Sequence, residues 1–115
     1  MKPEMLIETI NAQAVYLAPG WEELDICTGC SSDLMSDILT LDVCDAVLVT
    51  GLANEQAVRT ADMADIRTIL LVRSKAPTAG MLNLAKDCGI SLLTTKLSMF
   101  SVCGHLMKAG LKPPY

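Results

Sequence analysis

Apolar residues gather in short continuous runs, separated by stretches with helical spacing, and the alternation recurs roughly every 20 to 25 residues. Ala14-Val15-Tyr16-Leu17-Ala18 is the first strand-like run. Asp45-Ala46-Val47-Leu48-Val49-Thr50, Thr68-Ile69-Leu70-Leu71-Val72 and Ser91-Leu92-Leu93-Thr94-Thr95 follow, and residues 24–28 read as a further, shorter strand. The middle runs are apolar throughout instead of alternating, the pattern of strands covered on both faces. Between them lie helices. A first short one spans residues 4–10. Ser32-Asp33 offers an N-cap for a helix with Leu34, Ile38 and Leu41 on one side, and Asn54 caps residues 55–65 with Ala57, Ala61 and Ala64 inward. Pro77-Thr78 opens a helix that Gly89 stops, and Ser98 opens the last, with Val102 and Leu106 on its inner face and Gly110 at its end.

Strands alternating with such helices imply βαβ units joined by right-handed crossovers. The expected architecture is a single three-layer α/β/α Rossmann-like domain over residues 1–115, with a mostly parallel sheet of four or five strands and a loose tail at 112–115. Ligands in sheets of this kind sit beyond the carboxyl ends of the strands, at a switch in strand order.

Composition narrows the function. The chain has 115 residues, 51% of them hydrophobic and 19% charged, which excludes intrinsic disorder. The net charge is −4 and the residues that carry it form no basic stripe, so nucleic acid is not expected as a partner. No apolar run approaches a membrane span of roughly 18 residues, and the opening Met1-Lys2-Pro3-Glu4-Met5 lacks the marks of a signal peptide. A cytoplasmic protein follows, in which the five cysteines are reduced thiols. The apolar content exceeds what one small core requires, and the surplus points to a homo-oligomer, a dimer in the simplest case.

The residues after each strand carry the candidate chemistry. They are Thr28 and Gly29, then Thr50 and Gly51, then Arg73 and Lys75, then Thr94, Thr95 and Lys96. Three of the nine basic residues thus fall on one edge of an acidic protein. With hydroxyls and backbone amides they suit an anion such as a phosphate or carboxylate; the alternative is that solvated loops simply end in Lys and Arg. Neither a G-x-x-x-x-G-K-[ST] loop nor a G-x-G-x-x-G turn occurs. Cys27-Thr28-Gly29-Cys30 is a C-x-x-C placed at a strand end, open to dithiol redox chemistry or half of a metal site. Cys44, Cys88 and Cys103 read as small buried hydrophobes. His105 is the only histidine and no Ser-His-acid set is visible, so no enzyme is expected. Asp33 and Asp37, one turn apart, read as a solvated helix face.

The chain resembles the small stand-alone DRTGG-domain proteins. The stretches that carry the likeness are Ser32-Asp33-Leu34-Met35-Ser36-Asp37-Ile38-Leu39 and Val47-Leu48-Val49-Thr50-Gly51-Leu52, then Leu82-Asn83-Leu84-Ala85-Lys86-Asp87-Cys88-Gly89-Ile90 and Leu93-Thr94-Thr95-Lys96-Leu97-Ser98-Met99-Phe100. The name-giving motif is kept in part, as Asp25 and Thr28-Gly29, with Cys30 where a second glycine would stand. The resemblance implies a Rossmann-like fold similar to the N-terminal domain of HPr kinase, a regulatory or interaction role, and association with iron-only hydrogenase or electron-transfer complexes. The expected function is a non-catalytic module, without a cofactor, that senses an anionic metabolite or nucleotide at the strand ends. A thiol redox or metal-handling accessory using Cys27 and Cys30, and a docking scaffold for a larger enzyme, are the alternatives.

Overall fold

The computed structural model describes residues 1–115. In chain order the elements are α1 (Pro3–Thr9), β1 (Gln13–Tyr16), a 3-10 turn (Trp21–Glu23), β2 (Thr28–Ser31), α2 (Met35–Leu39), β3 (Ala46–Thr50), α3 (Glu55–Met63), β4 (Thr68–Leu71), α4 (Ala79–Cys88), β5 (Ser91–Thr94) and α5 (Met99–Lys108). Five strands form one sheet in the order β1-β5-β4-β3-β2. The β2–β3, β3–β4 and β4–β5 pairs are parallel, and β1 is antiparallel to β5. The expected α/β architecture with a mostly parallel sheet is therefore the observed one.

Local chemistry explains the long helices. The Asn54 side chain accepts from Gln56 N–H at 3.0 Å, Thr78 from Met81 N–H at 3.1 Å, and Ser98 from Ser101 N–H at 3.1 Å. Gly89 ends α4 with φ +69°, a left-handed position that glycine adopts without strain. α2 is different. It has only five residues and no side-chain cap. Ser32 and Asp33, expected to cap it, lie before its first turn; the Ser32 hydroxyl accepts from Leu34 N–H at 2.9 Å.

The apolar strands are buried on both faces, as their continuous pattern requires. On one face Leu48, Ile69 and Leu92 pack against Ala57 and Ala61 of α3 and Met81 and Ala85 of α4, with Met35 and Ile38 of α2 beside them. On the other, Val47, Val49, Leu70 and Leu93 pack against Leu6 of α1 and Val102 and Leu106 of α5. The four parallel strands follow one another in chain order, and right-handed crossovers then place α2, α3 and α4 on the same side. No reversal of strand order occurs among them, so the crevice expected at a switch point is absent. The second face is covered by the helices nearest the two ends of the sequence.

One strand lies elsewhere than its apolar pattern suggests. The strand expected over residues 24–28 lies at Thr28–Ser31. The apolar Leu24 and Ile26 suggest a strand, but pairing against the fully buried β3 decides the register: Thr28 sits opposite Ala46 and Ser31 opposite Val49. The tail at 112–115, expected to be extended or loose, is anchored at its first residue: Lys112 forms a parallel bridge to Thr28, accepting from Gly29 N–H and donating to Cys27 O, both at 3.0 Å.

The core sets a first prediction. Leu70 is fully buried at the centre of β4. Leu70→Ala should cost about 2–5 kcal/mol through lost burial and the cavity left behind, visible as a Tm drop of roughly 10 °C or more. A drop of only 1–2 °C in thermal unfolding would show that the second face packs loosely.

Candidate ligand-binding site

The carboxyl ends of the parallel strands form an edge built from four short segments. β2 ends in Ser31 and is followed by Ser32 and Asp33; β3 ends in Thr50 and is followed by Gly51. β4 runs into a turn at residues 72–75, and β5 runs into Thr95, Lys96 and Leu97.

Its shape is set by the 72–75 turn. Lys75 N–H donates to Val72 O at 3.2 Å, and both central residues, Arg73 (φ +58°) and Ser74 (φ +59°), are left-handed. These are the features of a type I′ turn, which ordinarily recruits Asn or Gly. For residues with a Cβ the conformation costs about 1–2 kcal/mol each. It persists because the turn is held from outside: Arg73 N–H donates to Leu97 O at 2.8 Å and Ser74 N–H to Thr95 O at 3.0 Å. The Thr95 hydroxyl in turn donates to Ile10 O at 2.9 Å and accepts from Leu97 N–H at 3.3 Å.

On the β5 side of this turn lies a cavity of about 400 Å³ whose lining includes Asn11, Gln13, Ser74, Lys75, Thr94, Thr95 and Lys96. Neither lysine is in an ion pair, and the lining holds no carboxylate. A larger cavity of about 500 Å³, between α2 and Tyr115, has the opposite character: Asp37 lines it and no basic residue does.

On the other side of the turn the edge is closed. Asp33 Oδ1 accepts from Gly51 N–H at 2.7 Å and from the Thr50 hydroxyl at 3.1 Å, and its Oδ2 faces Arg73 Nη2 at 3.4 Å. The guanidinium lies against Gly51, where any Cβ would collide with it. The Gly51 N–H bond, helped by Thr50 and Arg73 and opposed by partial burial, holds the Asp33 carboxyl below the ordinary value of 3.8.

The nine residues read from the sequence thus fall into three groups. Lys75, Thr94, Thr95 and Lys96 share the open cavity. Thr50, Gly51 and Arg73 are gathered around Asp33. Thr28 and Gly29 are not part of this edge: they open β2, so they lie at the opposite, amino-terminal end of the parallel strands, against Lys112. Asp33, Asn11 and Gln13 escaped the sequence reading. Asp33 reads as a helix position when β2 is set at residues 24–28, and Gln13 reaches the edge from the antiparallel β1 and Asn11 from the segment just before it.

The C-x-x-C shares that displacement. Cys30 lies in the middle of β2, 2% exposed, with its Sγ 3.6 Å from Val47 O, and burial pushes its thiol up to about 11. Cys27 is exposed and donates to Asp25 O at 3.4 Å. The motif is thus not at a strand end before a helix start, and Cys30 is the reverse of an activated thiol. No group of three or more His, Cys, Asp or Glu side chains is gathered where a metal ion could sit. Cys44 is exposed, and Cys88 and Cys103 are half-buried, against the expectation of buried hydrophobes.

No family model matches the sequence, and no curated protein does. Among solved structures the fold is similar to the CBS and DRTGG domains of the regulatory region of Clostridium perfringens pyrophosphatase, complexed with its activator diadenosine tetraphosphate. The TM-score is 0.76 at 10% identity, covering 96% of this chain and 47% of that one. The chain spans about half the length of the structure it matches, and the likeness confirms the Rossmann-like fold. No helix is long and apolar enough to cross a membrane.

Two predictions follow from the geometry. A carboxyl whose folded value lies below its unfolded one stabilises the fold above that unfolded value, and the gain is lost as pH falls through the folded value. Asp33→Asn should therefore cost up to about 1 kcal/mol at neutral pH, kept small because half of the side chain is in water. The gap between variant and wild type should narrow in unfolding curves taken progressively below pH 3.8 and close once the folded-state Asp33 carboxyl is itself protonated. Ser74→Gly should raise stability by about 0.5–1 kcal/mol by relieving the left-handed strain; a loss instead would mean that the serine side chain holds the turn.

Proposed function

We propose that this chain is a DRTGG-type regulatory module that binds a phosphate-bearing metabolite, of the nucleotide class, in the cavity beside the 72–75 turn. The observation that carries this is the lining. In a protein of net charge −4, Lys75 and Lys96 stand unpaired around about 400 Å³ with hydroxyls, side-chain amides and no carboxylate. That volume lies within the roughly 300–1,000 Å³ of small-molecule sites. Unpaired ammonium groups without an internal counter-ion favour an anion from solution. The structural neighbour is itself part of a regulatory region complexed with a nucleotide activator, which supports the same class of role.

The cavity assembles cations and neutral donors without a histidine or a carboxylate to move a proton, an arrangement suited to holding a ligand. Binding here would join β1, β5 and the 72–75 turn, elements drawn from both halves of the sequence, and would so report the ligand as a change in rigidity. A homodimer belongs to this reading. Phe100 and Met107 of α5 and Leu34 and Leu39 around α2 remain exposed apolar side chains available to a second copy.

The test is a thermal-shift screen of the reduced protein with AMP, ADP, ATP, diadenosine tetraphosphate, acetyl-CoA, cyclic dinucleotides and pyrophosphate. A ligand at 100 times its Kd adds about 2.7 kcal/mol, a shift of several degrees for a domain of this size. Lys96→Glu places a carboxylate in the cavity and should abolish the shift while leaving the unliganded Tm within about 2 °C of wild type, as expected for an exposed position. Binding that Lys96→Glu and Lys75→Glu leave unchanged would remove the cavity from the assignment.

A further inference from the structure

The strand-end edge has two halves that meet at the 72–75 turn. On the β5 side, cations face open space. On the β2–β3–β4 side, donors of the same kinds already hold an anion, and that anion belongs to the chain. A backbone N–H just past a strand (Gly51, 2.7 Å), a hydroxyl (Thr50, 3.1 Å) and a guanidinium (Arg73, 3.4 Å) converge on the two oxygens of Asp33. This is the donor set that receives the oxygens of a phosphate group.

Three features set the cluster apart from an ordinary surface ion pair. Asp33 makes no helix cap, since α2 begins after it without one. Position 51 is a glycine, and the absence of a Cβ is what lets the guanidinium lie against the backbone there. Arg73 reaches this place from a turn whose two central residues are left-handed without being glycine, a conformation that persists only where surroundings impose it. Asp33 and Arg73 are also half exposed, at 49% and 50% of their side-chain surface, so a dissolved anion can reach both.

We infer that the β2–β3–β4 half of the edge is a second anion subsite, filled in the unliganded protein by the Asp33 carboxylate, and that a phosphate group binds there by displacing Asp33 from Gly51 N–H and Arg73. The inference rests on the reading above for the class of its ligand. Asp33 then acts as a built-in competitor that sets the ligand concentration at which the edge is occupied. Its departure loosens the loop between β2 and α2, which hydrogen bonds from Gly51 and Thr50 tie to the end of β3 at Asp33, while Ser32 N–H keeps its own bond to Val49 O at 3.2 Å.

The test uses inorganic pyrophosphate in metal-free buffer, with affinity read by calorimetry and the Gly51 amide followed by NMR. Asp33→Asn keeps an oxygen acceptor for Gly51 N–H and removes the charge, so the fold is retained; thermal unfolding checks this. The expected result is binding tighter by about tenfold or more, the worth of one charge-assisted contact no longer competed for. The Gly51 amide shifts on titration, and both effects are lost in Asp33→Asn combined with Arg73→Gln. Asp37→Asn makes the same change in net charge on α2 and should leave affinity nearly unchanged. An unchanged or weaker affinity in Asp33→Asn overturns the inference, as does a gain that Asp37→Asn reproduces, that survives Arg73→Gln, or that leaves the Gly51 amide unmoved. If wild-type binding depends on Lys96 and Asp33→Asn adds nothing, the cavity stands and the second subsite falls. If binding in Asp33→Asn depends on Arg73 but Lys96→Glu has no effect, the subsite stands and the cavity falls. Absence of binding in every variant rejects both.

Discussion

Burial of the central strands on both faces is the constraint from which the rest of the molecule follows. All five residues of β3 and all four of β4 are buried, so apolar layers must lie above and below them. The connections between parallel strands supply only one layer, because crossovers of one hand, taken in chain order, deliver α2, α3 and α4 to the same side. The other layer has to come from α1 and α5, the helices flanking the βαβ series. β1 accompanies α1 and closes the far side of the sheet as its one antiparallel strand. Small residues carry the packing on the first side: Ala57, Ala61 and Ala85 are fully buried and let α3 and α4 approach the strands closely.

The same arrangement gives the strand-end edge its uneven character. Toward β5 the chain supplies hydroxyls and two lysines without counter-ions. Toward β2 it supplies a carboxylate, a strand-end amide and an arginine that satisfy one another. The turn between β4 and α4 belongs to both halves, through Ser74 and Lys75 on one side and Arg73 on the other. Its backbone hydrogen bonds to the segment after β5 keep it in place in spite of its strained φ values. One short turn thus decides which cation is neutralised internally and which remain free.

Much of this was legible in the sequence. Continuous apolar runs marked β3, β4 and β5, and Asn54, Thr78, Ser98 and Gly89 marked four boundaries of three helices, because buried strands and capped helices are local patterns. β2 was not legible. Its own residues, Thr28-Gly29-Cys30-Ser31, carry a weak strand signal, and pairing to β3 places it. That displacement carried the C-x-x-C and Thr28-Gly29 to the wrong end of the sheet and hid Asp33, which looks like a helix cap unless the strand is known to end at Ser31. Lys75, Thr94, Thr95 and Lys96 come together at one cavity because they end or follow strands that the apolar runs placed correctly. Asn11 and Gln13 come to the same cavity through the antiparallel pairing of β1 with β5, which sets Gln13 opposite Thr94, and no local pattern announces that.

The bridge between Lys112 and Thr28 carries a consequence for how the fold assembles. β2 is an outer strand, and an unpaired outer strand is a template for other chains. Here Gly29 N–H and Cys27 O are occupied by Lys112, which is distant from both in the sequence. Contacts of such long range form late and slowly. Until the segment at Lys112 has docked, the outer side of β2 stays open, and the partly folded chain is most vulnerable to pairing with its neighbours during that interval. The bridge therefore shields part of this edge from strand pairing in the finished protein while leaving the folding intermediates exposed to it.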